Sequence, residues 1–221
     1  MSSKHLYETR GSRGLTLVEV LIALTIFSIL MVAIFGSFKM GLNAFHKTST
    51  KNDLHRQAQV LSLRLIDELQ RSSISSVSLD PPPPAPPAAD KLCFLSALDP
   101  DGNFMLDPRG RPDWQNYVIY FRNSTDNKVY RKEVPLIPSA SQKRVPTPIE
   151  NYNPGSGAEP LSFYATGGQP VGRFITRFEV SVQPAPVSQV VWEIDVERAR
   201  YGLDSSTPEK LTGKGSAYLR N

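Results

Sequence analysis

The longest run of apolar residues lies near the start of the chain, at residues 15–38, where Glu19 is the only charged side chain. An α-helix rises about 1.5 Å per residue, so this run spans roughly 36 Å. That length is enough to cross the hydrocarbon core of a bilayer. A secretory signal has a shorter apolar core and a small-residue cleavage site, which residues 33–38 match poorly. The pattern therefore predicts a membrane-spanning helix over residues 15–38.

A second helical pattern follows the apolar run. No proline interrupts residues 15–79, so we predict that the helix continues. Apolar positions then recur every three or four residues, at Leu54, Ala58, Leu61, Leu65 and Leu69. This spacing predicts that residues 39–79 form an amphipathic second half that packs on a sheet of the same chain, and that Ser72–Ser78 ends the helix. A coiled-coil seam is the alternative, but two heptads are short for one.

A proline-rich segment separates the helical half from the rest of the chain. Six of the seven residues from 81 to 87 are proline. Such a run adopts an extended polyproline II conformation and acts as a semi-rigid spacer. We interpret residues 80–90 as a linker; a ligand for a proline-binding domain is the alternative, and the basic flank that such ligands often carry is missing.

The remaining residues, 91–221, show strand patterns separated by turn signals. Short strands are predicted at Leu92–Leu98, Tyr117–Phe121, Lys128–Val134, Leu161–Ala165 and Gly215–Asn221. Residues 122–127 form the turn of a hairpin, and residues 135–160, rich in proline and glycine, form a long irregular loop.

Two longer segments alternate between apolar and polar residues, as strands with one buried face do. The first places Phe174, Thr176, Phe178, Val180 and Val182 on one face. The second places Val190, Trp192, Ile194 and Val196 against Val191, Glu193, Asp195 and Glu197. The predicted fold class is α+β: a long N-terminal helix packed on an antiparallel sheet of five to seven strands.

Composition and charge narrow the classes of function. Hydrophobic residues make up 40% of the 221 residues and charged residues 21%, which excludes a disordered chain and a polytopic membrane protein. The net charge of +4 belongs to residues 1–79, which hold nine basic and five acidic residues, whereas residues 80–221 hold sixteen of each. A neutral head gives little support for binding to nucleic acid.

The candidate chemistry of the head is sparse. The three histidines, His5, His46 and His55, all lie before it, so no histidine-based triad or metal site is predicted there. The single cysteine, Cys93, excludes an internal disulfide and lies in an apolar strand, where we expect a buried small side chain. We expect no catalytic residue, no metal and no cofactor.

Residues 99–107 carry the acidic side chains that most resemble a cation site. Asp99, Asp101, Asn103 and Asp107 hint at a calcium loop, but Gly102 is its fourth residue where an EF-hand has glycine at the sixth. The sequence from Asp99 to Asn103 is also a strong turn signal. We interpret it as a turn and keep a cation site as the alternative.

Glu19 is unusual because a carboxylate inside a bilayer costs about 2.5–3.5 kcal/mol even on lenient scales. Either it reaches the headgroups or is protonated, or a cation on another subunit neutralises it. A free α-amino group at Leu15 would lie at nearly the same depth.

The segment from Arg13 to Leu24, with the sequence Arg-Gly-Leu-Thr-Leu-Val-Glu-Val-Leu-Ile-Ala-Leu, closely resembles the N-terminal signature of type IV pilins and type II secretion pseudopilins. The resemblance implies that residues 1–14 are a leader, which a prepilin peptidase in the membrane removes by cutting between Gly14 and Leu15. It implies N-methylation of Leu15, and it makes Glu19 the fifth residue of the mature chain. The family usually has phenylalanine where this sequence has Leu15.

The same resemblance implies an assembly role for Thr16 and Glu19. The helix over residues 15–38 would first span the bacterial cytoplasmic membrane, with the head on the periplasmic or extracellular side, and would later form the core of a filament. The implied partners are the prepilin peptidase, other minor and major pilins or pseudopilins, and the assembly platform of the inner membrane.

Within this family, the head resembles J-type minor pseudopilins of type II secretion systems. Three features carry this likeness: the hairpin of residues 117–132, the strand pair with Phe178 and Trp192, and the ending Tyr218-Leu-Arg-Asn221. Two other functions stay open, an adhesin or DNA-uptake receptor carried on a pilus and a membrane-anchored scaffold that never polymerises. The filament system itself, whether type II secretion, type IV pilus or competence, also stays open.

Overall fold

The computed structural model describes residues 15–82, 89–138, 140–155, 157–183, 188–199 and 208–219. Its main helix, α1, runs from Leu17 to Gln70. The chain divides into two compact units, one ending at His46 and the other beginning at Lys47. The predicted leader, residues 1–14, most of the proline run and the last two residues lie outside the described ranges.

In the part of the chain that the structure describes, eight antiparallel strands follow α1 and form two sheets, and one short α-helix accompanies them. The five-stranded sheet has the order β1 (Ser78–Asp80), β2 (Lys91–Ser96), β3 (Asn116–Asn123), β4 (Lys128–Pro135) and β5 (Gln169–Arg173). The three-stranded sheet consists of β6 (Ile175–Gln183), β7 (Gln189–Arg198) and β8 (Glu209–Tyr218). The short helix α2 spans Leu161–Tyr164. A long helix on antiparallel sheets is the predicted α+β fold class, but the single predicted sheet is in fact two.

The amphipathic stripe of α1 forms the centre of the main hydrophobic core. Leu54, Ala58, Leu61, Leu65 and Leu69 are each at most 5% exposed. They cluster with Leu92 and Phe94 of β2, Val118 and Tyr120 of β3, and the inward residues of β6 and β7. The helix therefore packs on both sheets of its own chain, as the spacing predicted, and this excludes the coiled-coil alternative for these five residues.

Strands β2 and β3 are buried on both faces. Cys93 and Leu95 of β2 point away from α1 into a second core, which the loop of residues 136–165 covers. That loop contains two 3₁₀ turns, at Ser141–Lys143 and Ile149–Asn151. Two-sided burial explains the continuous apolar run at Leu92–Leu98, since a strand between two cores has no polar face.

Helix α1 ends at Gln70, directly before the serine-rich run Ser72–Ser78 that was predicted to end it. The residues up to 79 that were grouped with the second half of the helix are therefore not helical in α1. The helix terminates in hydrogen bonds of the 3₁₀ type, in which the Ser72 N–H donates to the Leu69 carbonyl at 3.0 Å. The serines that follow bond locally instead of continuing the helix: the Ser76 hydroxyl donates to the Ser73 carbonyl at 2.7 Å and accepts the Leu95 N–H at 3.1 Å. Serine hydroxyls thus tie the helix end to strand β2.

Two of the strand predictions are wrong. Residues 161–165 were predicted as a strand, but the first four form one turn of helix, with the Ala165 N–H donating to the Leu161 carbonyl at 3.1 Å. The alternation beginning at Phe174 is also out of register: Phe174 has φ of 62° and is 36% exposed, whereas Ile175 is fully buried. A bulge between Ile175 and Arg177 restores the predicted alternation from Phe178 onward.

The last predicted strand is longer than expected. It begins at Glu209, not Gly215, and ends at Tyr218. In β7 the alternation is as predicted, with Val190, Trp192, Ile194 and Val196 fully or almost fully buried. Asp195 points to the other face but is only 3% exposed, because Lys210 and Thr212 of β8 bond to its carboxylate.

A half-buried charge network joins α1 to the five-stranded sheet. The Glu68 carboxylate accepts from Arg131 Nε at 3.0 Å and from the Tyr120 hydroxyl at 3.0 Å. Burial and the Glu68 carboxylate raise the pKa of Tyr120 well above its usual range, so the phenol stays protonated as a donor. Arg131 also donates to Glu133 at 2.6 Å.

We expect Arg131→Met to destabilise the fold by about 2 kcal/mol, because Glu68, whose side chain is 11% exposed, would lose its closer cation and keep the more distant Arg64 at 3.6 Å. Arg71→Met is the matched control, since its bridge to Asp67 joins two side chains that are 44% and 58% exposed and such bridges contribute about 0–1 kcal/mol. Urea unfolding of both variants would measure the difference. Equal stabilities would contradict a role for the Glu68–Arg131 pair in docking the helix.

Candidate functional site

The start of helix α1 is closed by reciprocal hydrogen bonds between Thr16 and Glu19. The Glu19 N–H donates to the Thr16 hydroxyl at 3.3 Å. In return, the Glu19 carboxylate accepts from the Thr16 N–H and from the Thr16 hydroxyl, each at 3.0 Å. This arrangement is a capping box, and it satisfies N–H groups that have no acceptor within the helix.

The capping box places a carboxylate beside the first residues of the helix. Glu19 is one turn into α1, where the positive end of the helix dipole favours a negative charge. Its carboxylate lies at the backbone of Thr16, the residue that follows Leu15. The structure therefore brings together Thr16 and Glu19, two residues singled out from the sequence, while Gly14 lies outside the described residues.

Sequence reasoning missed this pairing, although the signal was present. A threonine followed three residues later by glutamate, directly before an apolar run, is the sequence signature of a capping box. The Thr16–Glu19 spacing fits it.

The first half of α1 is an apolar surface without protein cover. Every residue from 15 to 45 is exposed, including Leu17 at 80%, Val32 at 74% and Phe35 at 68%. By length and composition, α1 is able to cross a membrane. An apolar surface of this extent marks a contact with lipid or with other protein.

Polar side chains within this apolar half are satisfied by the helix itself. The Thr25 hydroxyl donates to the Leu21 carbonyl and the Ser28 hydroxyl to the Leu24 carbonyl, each at 2.8 Å. Because an unsatisfied hydroxyl is costly in hydrocarbon, these bonds suit the segment to an apolar environment.

The acidic segment at residues 99–107 is a pair of turns. The Asp99 carboxylate accepts from the N–H groups of Asp101 and Asn103 at 3.0 and 2.8 Å, and the Gly102 N–H donates to the Asp99 carbonyl. Asp107 repeats the arrangement with Arg109 and Arg111. The bonds from Asn103 and Arg111 lower the pKa of the respective carboxyl groups. The turn prediction is confirmed, and the described residues contain no group of three or more His, Cys, Asp or Glu side chains that could hold a metal.

Cys93 is a structural residue. It is fully buried, as predicted, and burial raises the pKa of its thiol well above the usual value. A protonated thiol without solvent access is a poor nucleophile.

Comparison with known families decides what the N-terminal segment is. Residues 9–35 match the model described as the prokaryotic N-terminal methylation motif. The N-terminal segment therefore carries the methylation motif found in type IV pilins and pseudopilins. The comparisons with curated proteins and with solved structures give no match.

The methylation motif spans the capping box. It begins within the predicted leader, covers Gly14, Leu15, Thr16 and Glu19, and ends in the exposed apolar half of α1. The motif implies processing by prepilin peptidase. Pilin-like proteins are typically structural subunits rather than enzymes, and their motif together with one apolar N-terminal helix accords with membrane anchoring and filament assembly.

Proposed function

We propose that the protein is a minor pilin or pseudopilin, cleaved between Gly14 and Leu15, N-methylated on Leu15 and assembled through α1 into a filament. The observation that carries this proposal is the methylation motif at residues 9–35, set at the capped start of a helix whose apolar half is exposed. In the membrane this half would face lipid, and in the filament it would face the helices of neighbouring subunits.

Glu19 would serve assembly by its charge. Its carboxylate is fixed at the beginning of α1 by Thr16, so it meets an approaching subunit in one orientation. Cleavage after Gly14 would create an ammonium group at Leu15. An ammonium of a neighbouring subunit would neutralise the carboxylate and remove the cost of a charge in an apolar core.

We further propose that the subunit is a J-type minor pseudopilin of a type II secretion system. The features that support this subtype are the β3–β4 hairpin and the pairing of β6 with β7. Val180 lies opposite Trp192 and Phe178 opposite Ile194, so Phe178 and Trp192 are diagonal neighbours in one core. The third feature, the ending Tyr218-Leu-Arg-Asn221, lies partly outside the described residues. In this role the protein would initiate or cap a filament, or adapt it to exported proteins.

Intact mass spectrometry of the protein purified from membranes of its own host tests the processing step. We expect the loss of residues 1–14 and the gain of one methyl group, located on Leu15 by fragmentation. We expect all of the protein to be processed, because removal of the leader precedes assembly. A full-length, unmethylated protein would contradict the proposal.

A matched pair of leader variants sharpens this test. Gly14→Val places a branched side chain next to the scissile bond, and we expect the full-length protein to accumulate. Gly11→Val makes the same change three residues earlier and should be processed like the unmodified chain. If both variants were cleaved at the same bond, Gly14 would not be the recognised residue.

A further inference from the structure

Strand β8 is the terminal strand of the three-stranded sheet and is ten residues long. The other sheet edges are short or covered. β1 has three residues, β5 contains Pro170, and the Val180 N–H of β6 donates to the Ala89 carbonyl at 2.8 Å. β8 has neither a proline nor a bulge, since its register with β7 runs unbroken from Glu209 to Tyr218. A long edge of this kind is a template for pairing with another strand.

The register identifies the backbone groups that face outward. The Leu219 N–H donates to the Ser188 carbonyl at 3.1 Å, and this pair continues the register of β7 with β8. In an antiparallel ladder, alternate residues bond to the partner strand and the residues between them turn their N–H and C=O groups away. The outward groups therefore belong to Lys210, Thr212, Lys214, Ser216 and Tyr218, whose side chains are all exposed.

Lysines on an edge strand often prevent pairing, but the lysines of β8 lean away from the edge. Lys210 Nζ lies 2.9 Å from the Asp195 carboxylate, and Lys214 Nζ lies 3.0 Å from the Glu193 carboxylate, both on β7. The Thr212 hydroxyl also donates inward, to Asp195 at 2.6 Å. Among the residues that the structure describes, no strand pairs with the outer side of β8, and its lysines leave the backbone accessible there.

The charged side chains on the solvent-exposed face of the three-stranded sheet indicate which kind of strand would pair with β8. Glu193 of β7 lies between two cations, 3.1 Å from Arg177 of β6 and 3.0 Å from Lys214 of β8. Glu179 of β6 stands opposite Glu193 and also bonds to Arg177. The sheet ends in Lys210 and Lys214, four residues apart on one face, with side chains 55% and 70% exposed. Each ammonium has three donors, so it can serve a second carboxylate.

A second copy of β8 fits this edge poorly. In antiparallel self-pairing centred on Thr212, Lys210 of one copy would stand opposite Lys214 of the other, twice, and in pairing centred on Lys214 the two Lys214 side chains would meet. Pairing centred on Ser216 avoids this contact but leaves Lys210 and Thr212 outside the ladder. Like charges directly opposite each other destabilise a sheet. The preferred occupant therefore carries the opposite charge.

We propose that the outer edge of β8 is a binding site for an extended, acidic segment of another protein, which adds a fourth strand to the sheet. The segment would place carboxylates four residues apart, opposite Lys210 and Lys214, and would bond to the outward backbone groups from Lys210 to Tyr218. This mode of recognition obtains affinity from the main chain and selectivity from alternate side chains. It is independent of the N-terminal processing proposed above.

Nuclear magnetic resonance of the ¹⁵N-labelled, full-length protein in detergent micelles tests this site. The probe is the peptide acetyl-Thr-Glu-Val-Thr-Val-Glu-Val-Thr-amide, and its control has lysine in place of both glutamates. We expect the acidic peptide to slow amide exchange at Lys210, Thr212, Lys214 and Ser216, and to bind about tenfold more tightly than the basic one. Equal binding of both peptides, or exchange that slows elsewhere, would overturn the proposal.

Two substitutions at one position separate edge pairing from surface attraction. Ser216→Pro removes an outward N–H without removing a bond to β7, whereas Ser216→Ala keeps that N–H. We expect the proline variant to bind the acidic peptide three- to tenfold more weakly than the alanine variant, a loss of about one hydrogen bond. Identical affinities would refute strand addition.

Lys214→Gln keeps the test decisive if the proline variant does not fold. It should weaken acidic-peptide binding and should not weaken binding of the basic peptide, whose repulsion by Lys214 it removes. Unchanged acidic-peptide binding would refute the charge argument. Protection of the same amides that grows with protein concentration, without any peptide, would assign the edge to a second copy and overturn the acidic partner.

Discussion

Replacing Glu19 with glutamine is expected to abolish incorporation into the filament while the protein stays in the membrane. Glutamine at this position can still complete the capping box with Thr16, so the start of α1 keeps its hydrogen bonds. What is lost is the negative charge, and with it the proposed neutralisation by an ammonium group at Leu15 of a neighbouring subunit. Fractionation of host cells into membranes and sheared filaments would measure both outcomes.

Three companion variants separate charge from capping. Glu19→Ala loses both and should also fail to assemble. Thr16→Val keeps the charge but loses the cap, at a cost of about 0.5–2 kcal/mol to the helix start, and should assemble partially. Thr16→Ser keeps both. Normal assembly of Glu19→Gln with failure of Thr16→Val would assign the function of this pair to helix capping. Retention of the unmodified protein and of all four variants in the membrane, with none in the filament fraction, would favour a non-polymerising anchor.

Gly215→Ala is expected to destabilise the head by about 2–3 kcal/mol, the range of overpacked cores. A Cβ atom at Gly215 would lie 2.6 Å from three atoms of the Trp192 indole. The ring has no room to retreat, because it is 1% exposed and its Nε1–H donates to the Ser62 hydroxyl of α1 at 3.2 Å. Relief would require breaking that bond or moving the helix.

Gly213→Ala supplies the control on the same strand. A Cβ there would lie 3.4 Å from the Ala58 Cβ, an ordinary contact, and alanine also restricts the unfolded chain more than glycine does. We expect this variant to be neutral or slightly stabilised. Urea unfolding of both variants, with Trp192→Phe added to Gly215→Ala, would measure the effect and its relief. A Gly215→Ala protein as stable as Gly213→Ala would mean that the ring shifts freely.

The parts of the fold that follow from local pattern could be predicted from the sequence. Helix α1 was predictable because its stripe from Leu54 to Leu69 repeats over four turns. Strand β7 was predictable because a buried apolar residue stands at every second position from Val190 to Val196. In both elements one face is buried against a single core. Burial of one face makes apolar residues recur at the regular spacing of a helix or a strand.

The division into two sheets could not be read from the sequence, because it depends on pairings between distant residues. β5 contains Pro170 and Gly172, which argue against a strand, and it is tolerated because it lies at a sheet edge. β6 was misread at its start because Phe174 adopts a left-handed conformation, with its ring 4.8 Å beneath the Arg198 guanidinium. At such positions the backbone conformation depends on contacts with residues that are distant in the sequence.

The candidate site shows the same contrast. Gly14, Leu15 and Glu19 were singled out by a motif, and the family comparison covers all three. The hydrogen bonds between Thr16 and Glu19 were not predicted, although the spacing of these two residues is that of a capping box. The open edge of β8 had no local signal, because an edge exists only once the neighbouring strands are known.

The burial of α1 in the head determines where the protein can be shortened. Leu54, Ala58, Leu61, Leu65 and Leu69 supply one side of the main core, so removal of the chain up to Gln70 would expose the apolar faces of both sheets to water. The boundary between the two compact units, at His46 and Lys47, precedes every buried residue of the helix. A water-soluble head for crystallisation should therefore begin near Lys47 and retain two dozen helical residues that a design based on the sheets alone would discard.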